Sequence, residues 1–586
     1  MAACLPPFGE LRARPGLLLW PLLSVLLLRL CHPPLALWPL GFVALVPWLW
    51  SLRGTTPRVA FWSSWLFGSL HFFTVFAWLA VLRQFNPFIF LGIPLVALFQ
   101  GFFIGVSGAG MVFFGKRMAL TPAFLLSIAW WCGWEWFRSV GALGLPYALL
   151  GHSVRSFLAL TQITSLGGVV LLSGLVLAVN LCVMEATVCL IRRIADPLAM
   201  VRWAVVGGVL VAAVIWGSAV RSATARAEAA GIPLRVALLQ PNVPQSEKFA
   251  SYADPDAAVR EELQTRQAVR LFGMLDALEP GAHDLIVTPE SALTQPFFDL
   301  DMEEDLQREV RERANLLRAP LIVSAADNVF RRADGSRTER LDDAVGEGGF
   351  YDYNSYNALY LVRPGETELL RKGDYRKIQL MPFGETLPYF DLIPGLQEKI
   401  VQIGSFLRGD RNQPPLWITL PADATRADSE PIAVHLGPTI CFEDMFPPLH
   451  NRLARRGVHL FVNITNNAWF DPSLGSVFHF EYARLRCAET RRPMVLCTNS
   501  GVTAVISGTG EILERLPLRE EGVLSTTVQV PAEPSPTLYA RLGDWFGLLA
   551  FLSSWAVLVL LWRRRTADPR ADAPEAASNV PASTPG

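Results

Sequence analysis

Between Pro15 and Val220 the chain is almost uninterrupted apolar sequence, and nothing else limits so strongly what it can become. A helix needs roughly 20 apolar residues to cross the hydrocarbon core of a bilayer. Seven stretches near that length, at about 16–31, 34–52, 59–82, 87–114, 121–140, 159–191 and 203–220, precede the polar part of the chain, and an eighth runs from Phe546 to Trp562. Inside hydrocarbon the backbone must satisfy its own hydrogen bonds, so each stretch is expected to be helical. Only Cys31-His32-Pro33 separates the first two, which predicts a tight hairpin. The first stretch lacks a small-residue cleavage site and is followed by further spans, so it does not read as a removable signal.

The overall 51% hydrophobic and 18% charged composition averages two regimes. From Ile232 to Val530 the sequence has the mixed character of a globular domain. The expected organisation is a membrane domain of about seven helices over 1–228, a globular domain over 229–535, a C-terminal membrane helix over 536–565 and a disordered tail over 566–586. Lys and Arg flanking the spans set orientation, because cytoplasmic ends are enriched in them. One set of ends holds Arg12, Arg14, Arg53, Arg58, Lys116, Arg117, Arg192, Arg193, Arg202 and Arg563 to Arg565; the other holds Arg29, Arg83, Arg138 and Arg155. This asymmetry predicts both termini in the cytoplasm and the globular domain on the opposite side.

Short apolar runs recur in the globular half: 235–239, 284–288, 321–324, 358–362, 432–436, 459–464 and 494–498. Such continuous runs suit strands covered on both faces. Amphipathic helical patterns at 257–278 and 303–317 lie between them, and the alternation predicts a layered α/β domain. Gly508-Thr509-Gly510 reads as a hairpin turn, and no glycine-rich phosphate loop precedes a helix. A formal net charge of −1 gives no global field for nucleic acid. The eight cysteines form neither a disulfide framework nor a metal-type spacing.

Three residues carry the chemistry. Cys441 follows an apolar run in Pro438-Thr439-Ile440-Cys441-Phe442-Glu443; Glu290 follows another in Val287-Thr288-Pro289-Glu290; Lys377 lies in Tyr375-Arg376-Lys377, ahead of Pro382-Phe383-Gly384-Glu385. A cysteine attacks a carbonyl as its thiolate and needs a base within reach. Glu290 suits that task if partial burial raises its pKa. Lys377 and the backbone N–H of Phe442 suit the oxyanion of a tetrahedral intermediate. His435, His450, His459 and His479 lack a cysteine-protease setting and read as surface or packing residues.

In these motifs the chain resembles the nitrilase, or carbon–nitrogen hydrolase, superfamily, and more narrowly its membrane branch, the apolipoprotein N-acyltransferases. The resemblance extends through Leu239-Gln240-Pro241-Asn242-Val243-Pro244-Gln245, Tyr353-Asn354-Ser355, Asn463-Ile464-Thr465-Asn466-Asn467-Ala468-Trp469-Phe470, Arg492-Pro493 and Thr498-Asn499-Ser500-Gly501. It implies an αββα sandwich joined to a multi-span membrane domain. Glu290 would be the base, Lys377 the stabiliser of the intermediate and Cys441 the nucleophile, with Glu385, Phe442 and Glu443 supporting. It also implies substrate or lipid contacts from Asn354, Trp469 and Phe470, of which Trp469 and Phe470 read equally as core packing. The chain departs from the family at Thr288, where Trp is common, at Asn467, where Asp is common, and at Gly475-Ser476-Val477-Phe478-His479, which keeps only the first Gly and last His of Gly-Pro-His-Gln-His.

The function so implied is transfer of an acyl chain from a phospholipid, through a Cys441 thioester, to the α-amine of the S-diacylglyceryl-cysteine that begins an apolipoprotein. The resemblance places the catalytic domain in the periplasm on the inner membrane, with no metal or organic cofactor and no nucleic acid. Two other readings stand beside it: a membrane-tethered amidase or nitrilase acting on a small soluble compound, and a transporter or receptor with a degenerate binding domain. Within the membrane half, Glu135 and Arg138 have i, i+3 spacing and can pair, either as a structural ion pair or as part of a substrate entrance. Glu185 is a second intramembrane acid with no obvious partner.

Overall fold

The computed structural model describes residues 14–85, 88–141, 143–294, 303–332, 334, 336–338, 346–347, 350–351, 353–367, 373–382, 384–386, 406–421 and 430–567. Arg12, Phe383 and the expected tail beyond Ala567 lie outside them. The longer membrane helices are α1 (Gly16–Leu30), α2 (Pro57–Phe76), α3 (Ile89–Arg117), α4 (Leu120–Phe137), α5 (Thr164–Arg192) and α6 (Pro197–Ala229). Among the described residues, five helical stretches are long and apolar enough to cross a bilayer: Pro57–Gln84, Ile89–Arg117, Thr164–Arg192, Pro197–Ala229 and Trp545–Arg563. The expected helix at 34–52 is instead a 3-10 turn (Trp38–Phe42) and a short helix (Val46–Ser51), because Pro39 and Pro47 each remove a backbone donor. Helix α4 covers its expected range, but Glu135 and four tryptophans lower its hydropathy.

Small residues let α2 and α3 approach closely, as in helix pairs packed within lipid. A Cβ at Gly101 would come within 2.5 Å of the Ser69 backbone nitrogen, and one at Gly68 within 2.7 Å of Ile104 Cβ. Glu185, for which the sequence offered no partner, meets Arg202 of α6 at 3.2 Å. Glu135 and Arg138 do not form the direct ion pair their spacing allows. Glu135 accepts from the backbone N–H of Leu150 at 2.7 Å, and Arg138 donates to the carbonyls of Tyr147 and Ala148 at 3.0 and 3.2 Å. Both are buried and pin the irregular segment after α4, supplying side-chain partners to backbone groups that no regular helix pairs.

The globular part is a two-sheet sandwich. Its helices are α7 (Gln245–Ala253), α8 (Ala257–Asp276), α9 (Glu303–Leu317), α10 (Pro447–Arg455) and α11 (Gly475–Thr490). Its main strands are β1 (Ile232–Gln240), β2 (Leu285–Val287), β3 (Leu321–Arg331), β4 (Tyr353–Val362), β5 (Tyr375–Arg376), β6 (Leu416–Leu420), β7 (Ile432–Ile440), β8 (Leu460–Thr465), β9 (Met494–Thr498), β10 (Ala504–Ile506), β11 (Ile512–Arg515) and β12 (Gly522–Val530). One sheet has the order β12-β1-β2-β3-β4-β5, with Arg337–Thr338 paired to β3; the other has the order β11-β10-β9-β8-β7-β6. Strands β1, β2 and β3 run parallel, as do β7, β8 and β9.

Val236, Leu238, Val287 and Leu361 of the first sheet share a buried cluster with Val434, Leu436, Ile464 and Leu496 of the second. The outer face of the first sheet packs Ala237, Ile286, Leu321 and Val323 on Leu271, Leu275, Val310 and Leu317 of α8 and α9. Helices α10 and α11 cover the second sheet through Leu449, Leu453, Ala483 and Cys487. The layers are therefore helix, sheet, sheet, helix, as the continuous apolar strands require.

The sandwich sits on the membrane bundle rather than hanging from a linker. Met445, Phe478 and Tyr482 are buried in the same apolar cluster as Trp48, Phe72 and Tyr147. Tyr147 and Tyr482 meet edge to face at 4.6 Å, and Arg155 pairs with Glu481 at 3.1 Å. Gly508 of the expected hairpin turn donates its N–H to Glu228 at the end of α6. The C-terminal helix α12 (Trp545–Ala567) packs Phe551 over Gly133 of α4. A Gly101→Val substitution should cost roughly 1–3 kcal/mol through overpacking. It should lower the unfolding temperature of the detergent-solubilised protein, and an unchanged midpoint would show that α2 and α3 are free to separate.

Candidate active site

Parallel strands bring their carboxyl ends to one edge of each sheet, and loops there gather polar side chains. Glu290 lies three residues beyond β2, Cys441 directly after β7, and Asn466 directly after β8. Lys377 comes from the first sheet, directly after β5. The structure brings Glu290, Lys377 and Glu385 together. Lys377 Nζ lies 2.8 Å from Glu385 Oε1 and 3.3 Å from Glu290 Oε1, and its side chain is 1% exposed. The Cys441 thiol lies within electrostatic reach of both the Glu290 carboxylate and the Lys377 ammonium.

Cys441 has φ +54°, in the left-handed region that side chains enter at a cost of about 1–3 kcal/mol. It opens a 3-10 turn, Cys441–Met445, so the N–H groups of Cys441 and Phe442 begin a helical turn and point outward from it. The turn is held by Glu443, which is fully buried. One carboxylate oxygen accepts from the N–H groups of Ile378 and Gln379 at 2.6 and 2.8 Å. The other accepts from the N–H of Ile440 and the hydroxyl of Tyr375, both at 2.8 Å. Glu443 thereby ties the Lys377 segment to the Cys441 segment. Burial pushes its carboxyl up to about 7 against those four donors.

The expectation for Glu290 is overturned in sign. Burial does push its pKa upward, but the Lys377 ammonium, together with hydrogen bonds from Asn357, Asn466 and Cys441, outweighs it. Glu290 is held below the usual carboxylate range. Burial pushes the Cys441 thiol well up, and the Glu290 charge adds to this while Lys377 opposes it. Lys377 stays protonated, because its two carboxylates outweigh burial. The resting charge distribution is thus thiol, carboxylate and ammonium.

Asn357 and Asn466 escaped the sequence reading as site residues. Asn357 Nδ2 donates to Glu290 at 2.7 Å and to Glu385 at 3.3 Å, and the N–H of Asn466 donates to the second Glu290 oxygen at 2.8 Å. Asn354, predicted as a substrate contact, is three residues from Asn357 on β4 and so points to the other face of the strand. His479 was read as packing, yet its Nε2 lies 2.6 Å from Asp444 and 3.2 Å from the carbonyl of Cys441. Burial lowers its pKa, but Asp444 and the Cys441 carbonyl raise it above the usual value. The i, i+3 relation of Cys441 and Asp444 was the available signal; the partner lies 35 residues further on (479 − 444) and was invisible.

Trp469 and Phe470 face the membrane domain. Trp469 meets Phe85 at 4.9 Å, and Phe470 meets Trp78 at 4.9 Å. Phe442 and Phe446, beside the nucleophile, pack against the membrane bundle's apolar core. Glu135 and Arg138 are buried in their clamp on residues 147–150. Cys487 and Cys497 are buried, whereas Cys441 is partly exposed. Among the described residues no cluster of His, Cys, Asp and Glu could hold a metal ion. Removing the Glu290 charge should lower the Cys441 pKa. A fall of one unit corresponds to about threefold faster alkylation, after the lower intrinsic nucleophilicity is counted. Glu290→Gln should therefore react faster than the parent with iodoacetamide at Cys441, read by peptide mass. Slower alkylation at every pH would show that Glu290 creates thiolate in the resting enzyme.

Residues 24–182 match the family model described as the apolipoprotein N-acyltransferase N-terminal domain, and residues 235–533 match that of carbon-nitrogen hydrolase. A Bradyrhizobium diazoefficiens protein is 31% identical over 502 residues, covering 84% of this chain and 80% of its own. One from Geobacter metallireducens is 27% identical over 571 residues, covering 96% and 98%. One from Chlorobaculum tepidum is 29% identical over 547 residues, covering 89% and 92%. All three carry the name apolipoprotein N-acyltransferase. Among solved structures, a Saccharomyces cerevisiae member of the nitrilase superfamily aligns at TM-score 0.31 and 15% identity, covering 51% of this chain and 90% of its own. A Helicobacter pylori carbon-nitrogen hydrolase aligns at TM-score 0.29 and 13% identity, covering 57% and 97%.

Proposed function

The chain belongs to the apolipoprotein N-acyltransferase family, the membrane-embedded acyltransferases of the carbon–nitrogen hydrolase superfamily, and on that premise we propose a two-step acyl transfer through Cys441. In the first step the Cys441 sulfur attacks the carbonyl carbon of a phospholipid ester, and Glu290 takes the thiol proton. The oxyanion forms against Lys377 and the N–H of Phe442. The ester C–O bond then breaks, the proton passes to the departing alkoxide, and a lysophospholipid leaves. In the second step the α-amine of a diacylglyceryl-cysteine attacks the thioester. Glu290 accepts the amine proton, the C–S bond breaks, and the thiolate recovers a proton.

An α-amine with an ordinary pKa of about 8 has a useful neutral fraction at neutral pH, so the second step needs no strong activation. A soluble amidase uses water as its second nucleophile. Here the observation that carries the reading is where the nucleophile's turn sits: Phe442, Met445 and Phe446 pack into the same apolar cluster as the membrane helices. A site mounted there receives lipid chains and excludes water, which would otherwise hydrolyse the thioester. The Lys and Arg bias of the span ends supports a periplasmic catalytic domain, and two-sided labelling of introduced cysteines tests it.

The principal test uses purified full-length protein and phospholipid labelled in its acyl chain. Label should remain on the protein as a thioester cleaved by neutral hydroxylamine, and should move to the amine of an added diacylglyceryl-peptide. Cys441→Ala should carry none. Release of label solely as free fatty acid would favour an amidase-like hydrolase, and labelling of Cys441→Ala would remove the proposed nucleophile.

A further inference from the structure

Helix α7 begins two residues after Val243, and its Lys248 side chain runs inward to the back of the Glu290 loop. The residue is 2% exposed. Its Nζ donates to the Ser291 carbonyl at 2.8 Å and reaches the Glu290 carbonyl at 3.4 Å. Among the described residues no carboxylate oxygen lies within ion-pair distance of it. A buried ammonium costs several kcal/mol unless its surroundings compensate, and here two backbone carbonyls and the nearby Glu290 charge do so. An apolar side chain of similar length would fill the space without that cost.

The grip falls where the backbone is under strain. Ser291 has φ +50°, and its N–H donates to Ser324 Oγ at 3.1 Å. Lys248 holds the carbonyl on the other side of that residue. The same helix supports the carboxylate end. Gln245 Oε1 accepts from Asn466 Nδ2 at 2.9 Å, and the Asn466 N–H in turn donates to Glu290 Oε2 at 2.8 Å. One turn of α7 therefore holds Glu290 by its main chain and, through Asn466, by its side chain.

We infer that Lys248 is a positioning residue for Glu290, fixing the loop that aims the carboxylate at the Cys441 thiol. The inference rests on the reading of Glu290 as the base. Lys248 touches neither the thiol nor any reacting atom, and acts through the main chain it holds. Burial lowers its pKa to about 8, with Glu290 opposing, so the grip is charged at neutral pH and weakens as pH rises past that value. Glu290 is the ionisable group that faces it from the packed elements.

The test compares full-length Lys248→Met and Lys248→Arg with the parent in single-turnover acylation by labelled phospholipid, across donor concentration and pH. A misplacement near 1 Å costs on the order of 100-fold in rate. Lys248→Met should lower the saturating acylation rate about 10-fold to 100-fold while the half-saturating donor concentration stays unchanged. The parent's rate should decline above about pH 8, and that limb should be missing in Lys248→Met. Lys248→Arg should recover most of the rate. Thermal unfolding of all three proteins separates positioning from folding. The inference is overturned if Lys248→Met acylates at the parental rate, if its loss lies in donor affinity, or if both variants lose rate in step with lost stability. Failure of the underlying reading has a different signature: Glu290→Gln would then acylate like the parent.

Discussion

A single buried ammonium sets the terms for the rest of this molecule. Lys377 is enclosed by the sandwich with two carboxylates, Glu290 and Glu385, inside hydrogen-bonding range. An unpaired charge at that depth would cost several kcal/mol, and so would either carboxylate without the lysine. The cluster carries one more negative than positive charge, and the imbalance is spread over fixed donors: Asn357 and the Asn466 N–H on Glu290, and the Met381 N–H on Glu385. Those donors come from β4, from the end of β8 and from the loop after β5, so both sheets must be assembled before the charges balance. The fold and the site are one construction.

The same balance keeps the Cys441 thiol protonated at rest. Burial raises the pKa of the Cys441 thiol, and the Glu290 charge adds to this more than Lys377 takes away. Many cysteine enzymes store a thiolate. This site holds the opposite: a protonated thiol beside an ionised carboxylate and a buried ammonium. The left-handed Cys441 backbone, Glu443 beneath it and His479 at its carbonyl keep sulfur in place.

The membrane domain contributes more than an anchor. Glu135 and Arg138 hold the segment that presents Tyr147, and Tyr147 packs on Tyr482 of α11, the helix that also supplies His479. Contacts between the halves are a mixture of aromatic packing, a buried ion pair and hydrogen bonds to backbone, which fixes a definite seating. A loosely tethered hydrolase would show a polar linker at this junction. Here α6 ends at Ala229 and β1 starts at Ile232.

Much of this was legible in the chain because it is local. Apolar runs of bilayer length announced helices, continuous apolar strands announced a sandwich covered on both faces, and Glu290, Lys377 and Cys441 each stood beside a strand. Periodicity and hydropathy are properties of neighbours in sequence, so α9 and β9 emerged with the bounds predicted. Strands β6 and β12 did not, since pairing with another strand makes them strands. Partners across long separations were equally hidden: Arg202 for Glu185, Asn357 and Asn466 for Glu290, Asp444 for His479, and Lys248 behind the Glu290 loop. The sign of the Glu290 shift was hidden for the same reason. Burial alone raises an acid's pKa, and only the folded chain decides that an ammonium 87 residues away lies close enough to reverse it. The sequence by itself put forward the reactive groups and the apolar medium around them; tertiary structure alone decided their charge, because electrostatic energy depends on distance and solvent exclusion, and neither is written along the chain.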